Sequence, residues 1–222
     1  VNENLNEVEV RTLGSLIEKQ VTTPEYYPMT LNSLVNACNQ LTNREPVVKY
    51  DEKTVARSLE DLREKQLIWV VSQAGSRVPK YEQRLTEALR LSEQETATLC
   101  VLMLRGPQTP GEIRGRTGRL YEFKELEEVE LTIQSLSTAE PRPLVTKLPR
   151  LPGTKESRFA HLLSGEVKIT EPAEARVRPE AAMLEVRGEN ERLARLEQRI
   201  ESLEGELAAL KQTLMDFKKQ FE

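Results

Sequence analysis

The side chains in this sequence that could do chemistry are mostly cations and amides. Arg114, Arg116 and Arg119 crowd one short stretch, and Lys147, Arg150, Lys155 and Arg158 populate another. Asn39, Gln40, Thr42, Asn43 and Arg44 form a polar run, while Arg77, Lys80 and Arg84 lie further along. Guanidinium and ammonium groups pair with phosphate oxygens, and side-chain amides read base edges, so this set points to contact with double-stranded DNA. The nucleic-acid-binding candidates are Asn43, Arg44, Arg77, Lys80, Arg114, Arg116, Arg119, Lys147, Arg150, Lys155 and Arg158. An ordinary solvated surface would use the same residue types.

Groups suited to catalysis are scarce. The single histidine, His161, sits in the strand-like pattern Phe159, His161, Leu163, which suits a packed or edge residue better than a base. No GxSxG, HExxH, Walker or GxGxxG pattern occurs. Glu127 and Glu128 are adjacent and would leave a helix in different directions, so they share no site. Cys38 and Cys100 are far apart and outside any CxxC pair, which fits two buried core thiols rather than a zinc site or disulfide framework. A non-enzymatic chain with no cofactor and no metal is expected.

Composition narrows the partners. Over 222 residues, 31% are charged, 5% are aromatic and the formal net charge is -4. So near-neutral a chain has no global basic field, and any nucleic-acid contact must rest on local patches. No apolar run is long enough for a membrane span. The stretch Val1-Asn2-Glu3-Asn4 is polar and acidic, unlike a signal peptide, so a cytoplasmic location is expected.

The elements that would position these residues follow a repeated order. Asn6-Glu7-Val8-Glu9 has capping-box form and precedes a helical face of Val8, Leu13, Leu16 and Ile17. Pro24 and Pro28 break the chain. Thr30 can cap a second helix with Leu31, Leu34, Val35 and Cys38 inward, and Asp51 a third with Val55, Leu59 and Leu62 inward. Leu67 to Val71 then reads as a strand, Ala74-Gly75-Ser76 as a turn, and Arg77 to Tyr81 as the returning strand. Three helices closed by a hairpin is the order of a winged helix.

That order recurs. Ser92-Glu93-Gln94-Glu95 opens a helix carrying Leu99, Leu102 and Met103. Thr109-Pro110-Gly111-Glu112 combines a cap, a proline at the first helical position and a glutamate at the third. Leu126, Val129, Ile133 and Leu136 mark a third helix, and residues 144–148 and 158–162 flank a Pro/Gly loop as a second hairpin. Val55, Leu59, Leu62 and Val129, Ile133, Leu136 share one spacing, and Lys80-Tyr81 and Arg158-Phe159 take equivalent places.

The two third helices differ in charge. The first, Asp51 to Gln66, mixes Lys53, Arg57, Arg63 and Lys65 with Asp51, Glu52, Glu60, Asp61 and Glu64. The second opens on Glu125, Glu127, Glu128 and Glu130 and has no Lys or Arg from Glu125 to Glu140. Such carboxylates suit a helix N-terminus but would be repelled by phosphates, so this helix is not expected to enter a major groove.

Beyond a Pro-marked linker at residues 170–182, apolar residues alternate at spacings of three and four. Leu193, Leu196, Ile200, Leu203, Leu207, Leu210, Leu214 and Phe217 form a heptad seam, which predicts a homodimer through a C-terminal coiled coil. Pairing Arg199 with Glu204 suits a parallel pair and pairing it with Glu206 an antiparallel one, so charge leaves the orientation open.

Long stretches of the chain resemble the YceH-like family of bacterial proteins. They include Leu16-Ile17-Glu18-Lys19-Gln20-Val21-Thr22-Thr23-Pro24, Thr42-Asn43-Arg44-Glu45-Pro46-Val47, Leu104-Arg105-Gly106-Pro107-Gln108-Thr109-Pro110 and His161-Leu162-Leu163-Ser164-Gly165. The resemblance covers roughly residues 5 to 167 and implies two winged-helix domains; it brings no activity and no functional residues.

The expected fold is therefore mainly α with small β-hairpins (α+β): two tandem winged-helix domains, residues 1–85 and 86–169, then the linker and a coiled-coil helix at residues 183–222. The expected role is DNA binding or transcription regulation. The alternative is a protein-interaction scaffold that uses its winged helices without touching DNA.

Overall fold

A computed structural model describes residues 4–71, 78–150 and 156–166, all within one compact unit, Val1–Lys168. The linker, the heptad seam, Arg77 and Lys155 lie outside the described residues. The fold is mainly helical with small antiparallel sheets.

The first helix, α1 (Glu7–Thr22), starts where the capping box predicts. Asn6 Oδ1 accepts from the Glu9 amide at 2.9 Å, and the Asn6 amide donates to Glu9 Oε2 at 2.7 Å, so two donors that the helix leaves orphaned find partners. Residues Glu9 to Glu18 are all buried, the signature of a helix packed on every side rather than along one stripe. Two of its polar members are held by specific partners: Thr12 meets Ser58 at 2.9 Å, and Arg11 Nη2 donates to the Pro46 carbonyl at 2.6 Å.

After a 3-10 turn at Pro24–Tyr26 come strand β1 (Met29–Thr30), helix α2 (Leu31–Cys38) capped by Thr30, and helix α3 (Glu52–Glu64) capped by Asp51. Strands β2 (Ile68–Val71) and β3 (Lys80–Gln83) complete an antiparallel sheet of order β1-β3-β2. Among the described residues the returning strand spans Lys80–Gln83, with Lys80 opposite Val71 and Tyr81 opposite Val70; Arg77, where the sequence pattern starts it, lies outside the described residues. A short helix, α4 (Leu85–Ala88), leads into the second half.

The second half repeats the plan. Helices α5 (Glu93–Arg105), α6 (Pro110–Thr117) and α7 (Leu126–Ser137) precede strands β4 (Val145–Lys147) and β5 (Phe159–His161). Ladder bonds from Leu148 to Arg158 and from Leu162 to Leu144 extend the hairpin to the expected limits. Even β1 has a counterpart: Gln108 pairs antiparallel with Phe159, as Met29 pairs with Tyr81.

The halves share a core. Helix α5, buried from Ala97 to Leu104, packs on α1, and Gly14 makes the close approach possible. A Cβ on Gly14 would lie 3.0 Å from Leu104 Cδ2 and 3.2 Å from Met103 Cβ. Backbone bonds tie the halves further, from the Leu5 amide to the Leu163 carbonyl at 2.8 Å and from Glu45 to Leu104 at 2.9 Å. Cys38 and Cys100 are free and buried in this core. Among the described residues no helix is long and apolar enough to cross a membrane.

Candidate nucleic-acid interface

The polar run from Asn39 to Arg44 turns inward. Asn39 exchanges two 2.8 Å bonds with the backbone of Tyr50 and fastens the loop to itself. Arg44 is buried: its Nη2 and Nη1 donate to the two carboxylate oxygens of Glu18 at 2.6 and 3.1 Å, and further donors reach the carbonyls of Ala37 and Asn43 and Oε1 of Gln40. Asn43 has φ 60 and accepts from Arg105. Arg44 therefore joins α1 to the end of α2 rather than facing a duplex. Its role is structural.

Several other predicted cations are engaged locally. Arg114 donates to the Lys124 carbonyl, and Arg116 to Oε1 of Gln108. Arg158 donates to the Pro107 carbonyl at 2.8 Å and pairs with Glu112 at 2.9 Å. These bonds pin the start of α6 to β5. Lys147, Arg150 and Arg119 are exposed, and Lys80 is half-buried in β3. Among the described residues, the nine candidates therefore include buried and locally bonded side chains as well as exposed ones; Arg77 and Lys155 lie outside the described residues.

Helix α3 presents a more coherent cationic face. Val55, Ser58, Leu59 and Leu62 face the core, which leaves Lys53 and Arg57, four residues apart and on one side of the helix, exposed together with Arg63. Lys49 is exposed in the segment leading in. The amino-terminal half of α3 thus carries two exposed cations, Lys53 and Arg57, beside two exposed carboxylates, Asp51 and Glu52, which suit the positive end of the helix dipole. Glu60 and Glu64 are exposed further along, beside Arg63. Asp51, exposed at the cap, accepts from Thr54, and those hydrogen bonds hold its carboxyl below the usual range.

Helix α7 occupies the equivalent place with opposite chemistry. Glu125, Glu127 and Glu130 are exposed beside Leu126 and Leu131, the latter 59% exposed. Between α7 and the second hairpin lies a groove of about 580 Å³ with Leu126, Ile133 and Phe159 on its walls, Glu130 on one rim and Lys147 and Arg150 on the other.

Trp69 is not singled out by the sequence, whereas His161 reads there as a packed or edge residue. Trp69 is half-exposed on β2 with the Arg84 guanidinium stacked 4.0 Å from its ring centroid. His161 is largely enclosed, and its Nδ1 has no hydrogen-bond partner. Desolvation pushes its pKa down from 6.5 to about 4. Among the described residues no cluster of His, Cys, Asp and Glu is placed to hold a metal ion.

A family model described as "Protein of unknown function, DUF480" matches residues 5–154. A UPF0502 protein of Geotalea uraniireducens is 51% identical over 219 residues, covering 99% of each chain. One from Solibacter usitatus is 50% identical over 218 residues, covering 98% of each. A third, from Opitutus terrae, reaches 57% over 171 residues, 76% of this chain and 74% of its own. Because the model spans well over half of the sequence and the relatives align along nearly all of it, the chain belongs to the DUF480/UPF0502 family of bacterial proteins.

Proposed function

We propose that this chain is a non-enzymatic tandem winged-helix protein of the cytoplasm that binds double-stranded DNA. The contact is made by α3, and the chain acts as a homodimer through the heptad seam Leu193 to Phe217. The carrying observation is the pair of exposed cations on one side of α3, Lys53 and Arg57, with Lys49 ahead of them and the carboxylates of Asp51 and Glu52 at the helix start. In a winged helix this third helix is the one laid in the major groove. The repeated order of three helices and a hairpin, with the strand before the second helix pairing to the returning strand in each half, supports the winged-helix reading. A dimer would present two such faces to a pseudo-palindromic duplex.

Binding of a mixed-sequence duplex, followed by fluorescence anisotropy across salt concentration, tests this. Three phosphate contacts per chain correspond to a slope of roughly -3 in log affinity against log salt. Absence of binding at low salt would overturn it.

The second half favours a second reading. Exposed leucines among glutamates on α7, beside an apolar groove, suit a protein partner better than phosphate. In this reading the chain is an interaction scaffold, and Leu131→Glu should abolish capture of that partner while leaving duplex binding intact.

A further inference from the structure

Where α1, α5 and α6 come together, a small cleft of about 30 Å³ is lined by Glu18, Asn43, Arg105, Arg116 and Arg119. That volume is water-sized, so a larger anion would sit at the mouth of the cleft, beside the exposed Arg119. Three arginines reach the cleft from α5, α6 and the turn after α6.

Their charges are poorly matched. Glu18, the carboxylate in the wall, is already held by Arg44 through two oxygens. Arg105 donates to the neutral amide oxygen of Asn43, and Arg116 to that of Gln108. The nearest carboxylate to Arg116, Glu112, stands 3.8 Å away and is closer to Arg158, at 2.9 Å. Arg119 is exposed and has no ion pair among the described residues. Neutral acceptors satisfy N–H geometry but leave positive charge uncompensated, and in a partly buried cleft that charge is weakly screened. Crowding is felt at Arg105, whose pKa is lowered first by burial and then by Arg116, with Glu45 and Glu18 opposing the shift only in part.

We propose that this cleft binds a phosphate group through Arg105, Arg116 and Arg119. Guanidinium forks match tetrahedral phosphate oxygens, and charge-assisted bonds to a dianion would supply the missing counter-charge. The group can come as a free phosphate-bearing small molecule or as part of a nucleic-acid backbone. The site uses none of the α3 residues assigned to DNA and stands whether or not that assignment does.

The test follows thermal unfolding of the full chain in millimolar inorganic phosphate against chloride of equal ionic strength. Phosphate raises the Tm of the wild-type chain by linkage, and Arg105→Gln with Arg119→Gln removes the rise. Arg119→Gln alone, at an exposed position, keeps the fold and weakens apparent phosphate affinity at least tenfold. A second arm measures duplex binding. If Arg119→Gln also weakens the duplex and phosphate competes with it, the source is backbone phosphate; if duplex affinity is unchanged while the Tm effect is lost, it is a free ligand. An equal Tm in phosphate and chloride, or a rise that survives both substitutions, overturns the proposal.

Discussion

At the scale of single residues, burial decides more than residue type. Arg44 sits in a polar run between two helices, where sequence reading places a surface cation. Its partner Glu18 is 26 residues away, so no local pattern reveals the pair. With one side chain fully buried and the other nearly so, removing either leaves a desolvated charge. Arg44→Met should destabilise the chain by about 3–5 kcal/mol in urea unfolding, and adding Glu18→Leu should restore much of that loss. An equally unstable double variant would show that packing, not charge, is the main term. Cys38 and Cys100, by contrast, were legible as core thiols, because isolated cysteines among apolar neighbours have few other uses.

His161 offers a cleaner residue-scale test because it is the chain's single histidine. Folded, it binds its proton less tightly than unfolded, with a pKa near 4 against 6.5. As pH falls through that window the unfolded chain takes up a proton the folded chain refuses, so stability drains away on acidification. The contribution is at most about 3 kcal/mol. NMR titration should find the imidazole neutral at pH 6, and His161→Phe should flatten the stability profile between pH 6.5 and 5. A midpoint near 6.5 in the folded chain would refute this.

At the scale of elements, the helices with strong caps were legible almost to the residue. Asn6, Ser92 and Thr109 all form the reciprocal boxes their spacing implies. The pieces missed were those too short for a period to show. Strand β1 is two residues long and exists only because β3 offers it a ladder, and α4 is a single turn. The α1–α5 contact was also hidden, since Arg11, Thr12, Ser15 and Glu18 disguise a helix buried all round. Gly14 is the closest point of that contact. Gly14→Val should cost about 1–3 kcal/mol through overpacking, although glycine is itself a poor helix former. Unchanged stability in calorimetry would mean that Leu104 moves aside freely.

At the scale of the whole molecule, a net charge of -4 covers a mixed-charge α3 and an acidic α7. The order of helices and hairpins was legible because duplication prints it twice. The distribution of cations was not, because four of the eight described cations in the predicted set, Arg44, Arg114, Arg116 and Arg158, fasten loops and strands within the unit. Exposed on α3 are Lys53 and Arg57, beside Asp51 and Glu52, on a helix whose inner face is locked into the core. If α3 binds DNA as proposed, duplex affinity resides in Lys53 and Arg57. The most direct test of that proposal is to compare the wild-type chain with Lys53→Glu and Arg57→Glu combined, measuring affinity for one mixed-sequence duplex at moderate salt. The account predicts a loss of at least about tenfold, with a shallower salt dependence; equal affinity in the two chains would contradict it.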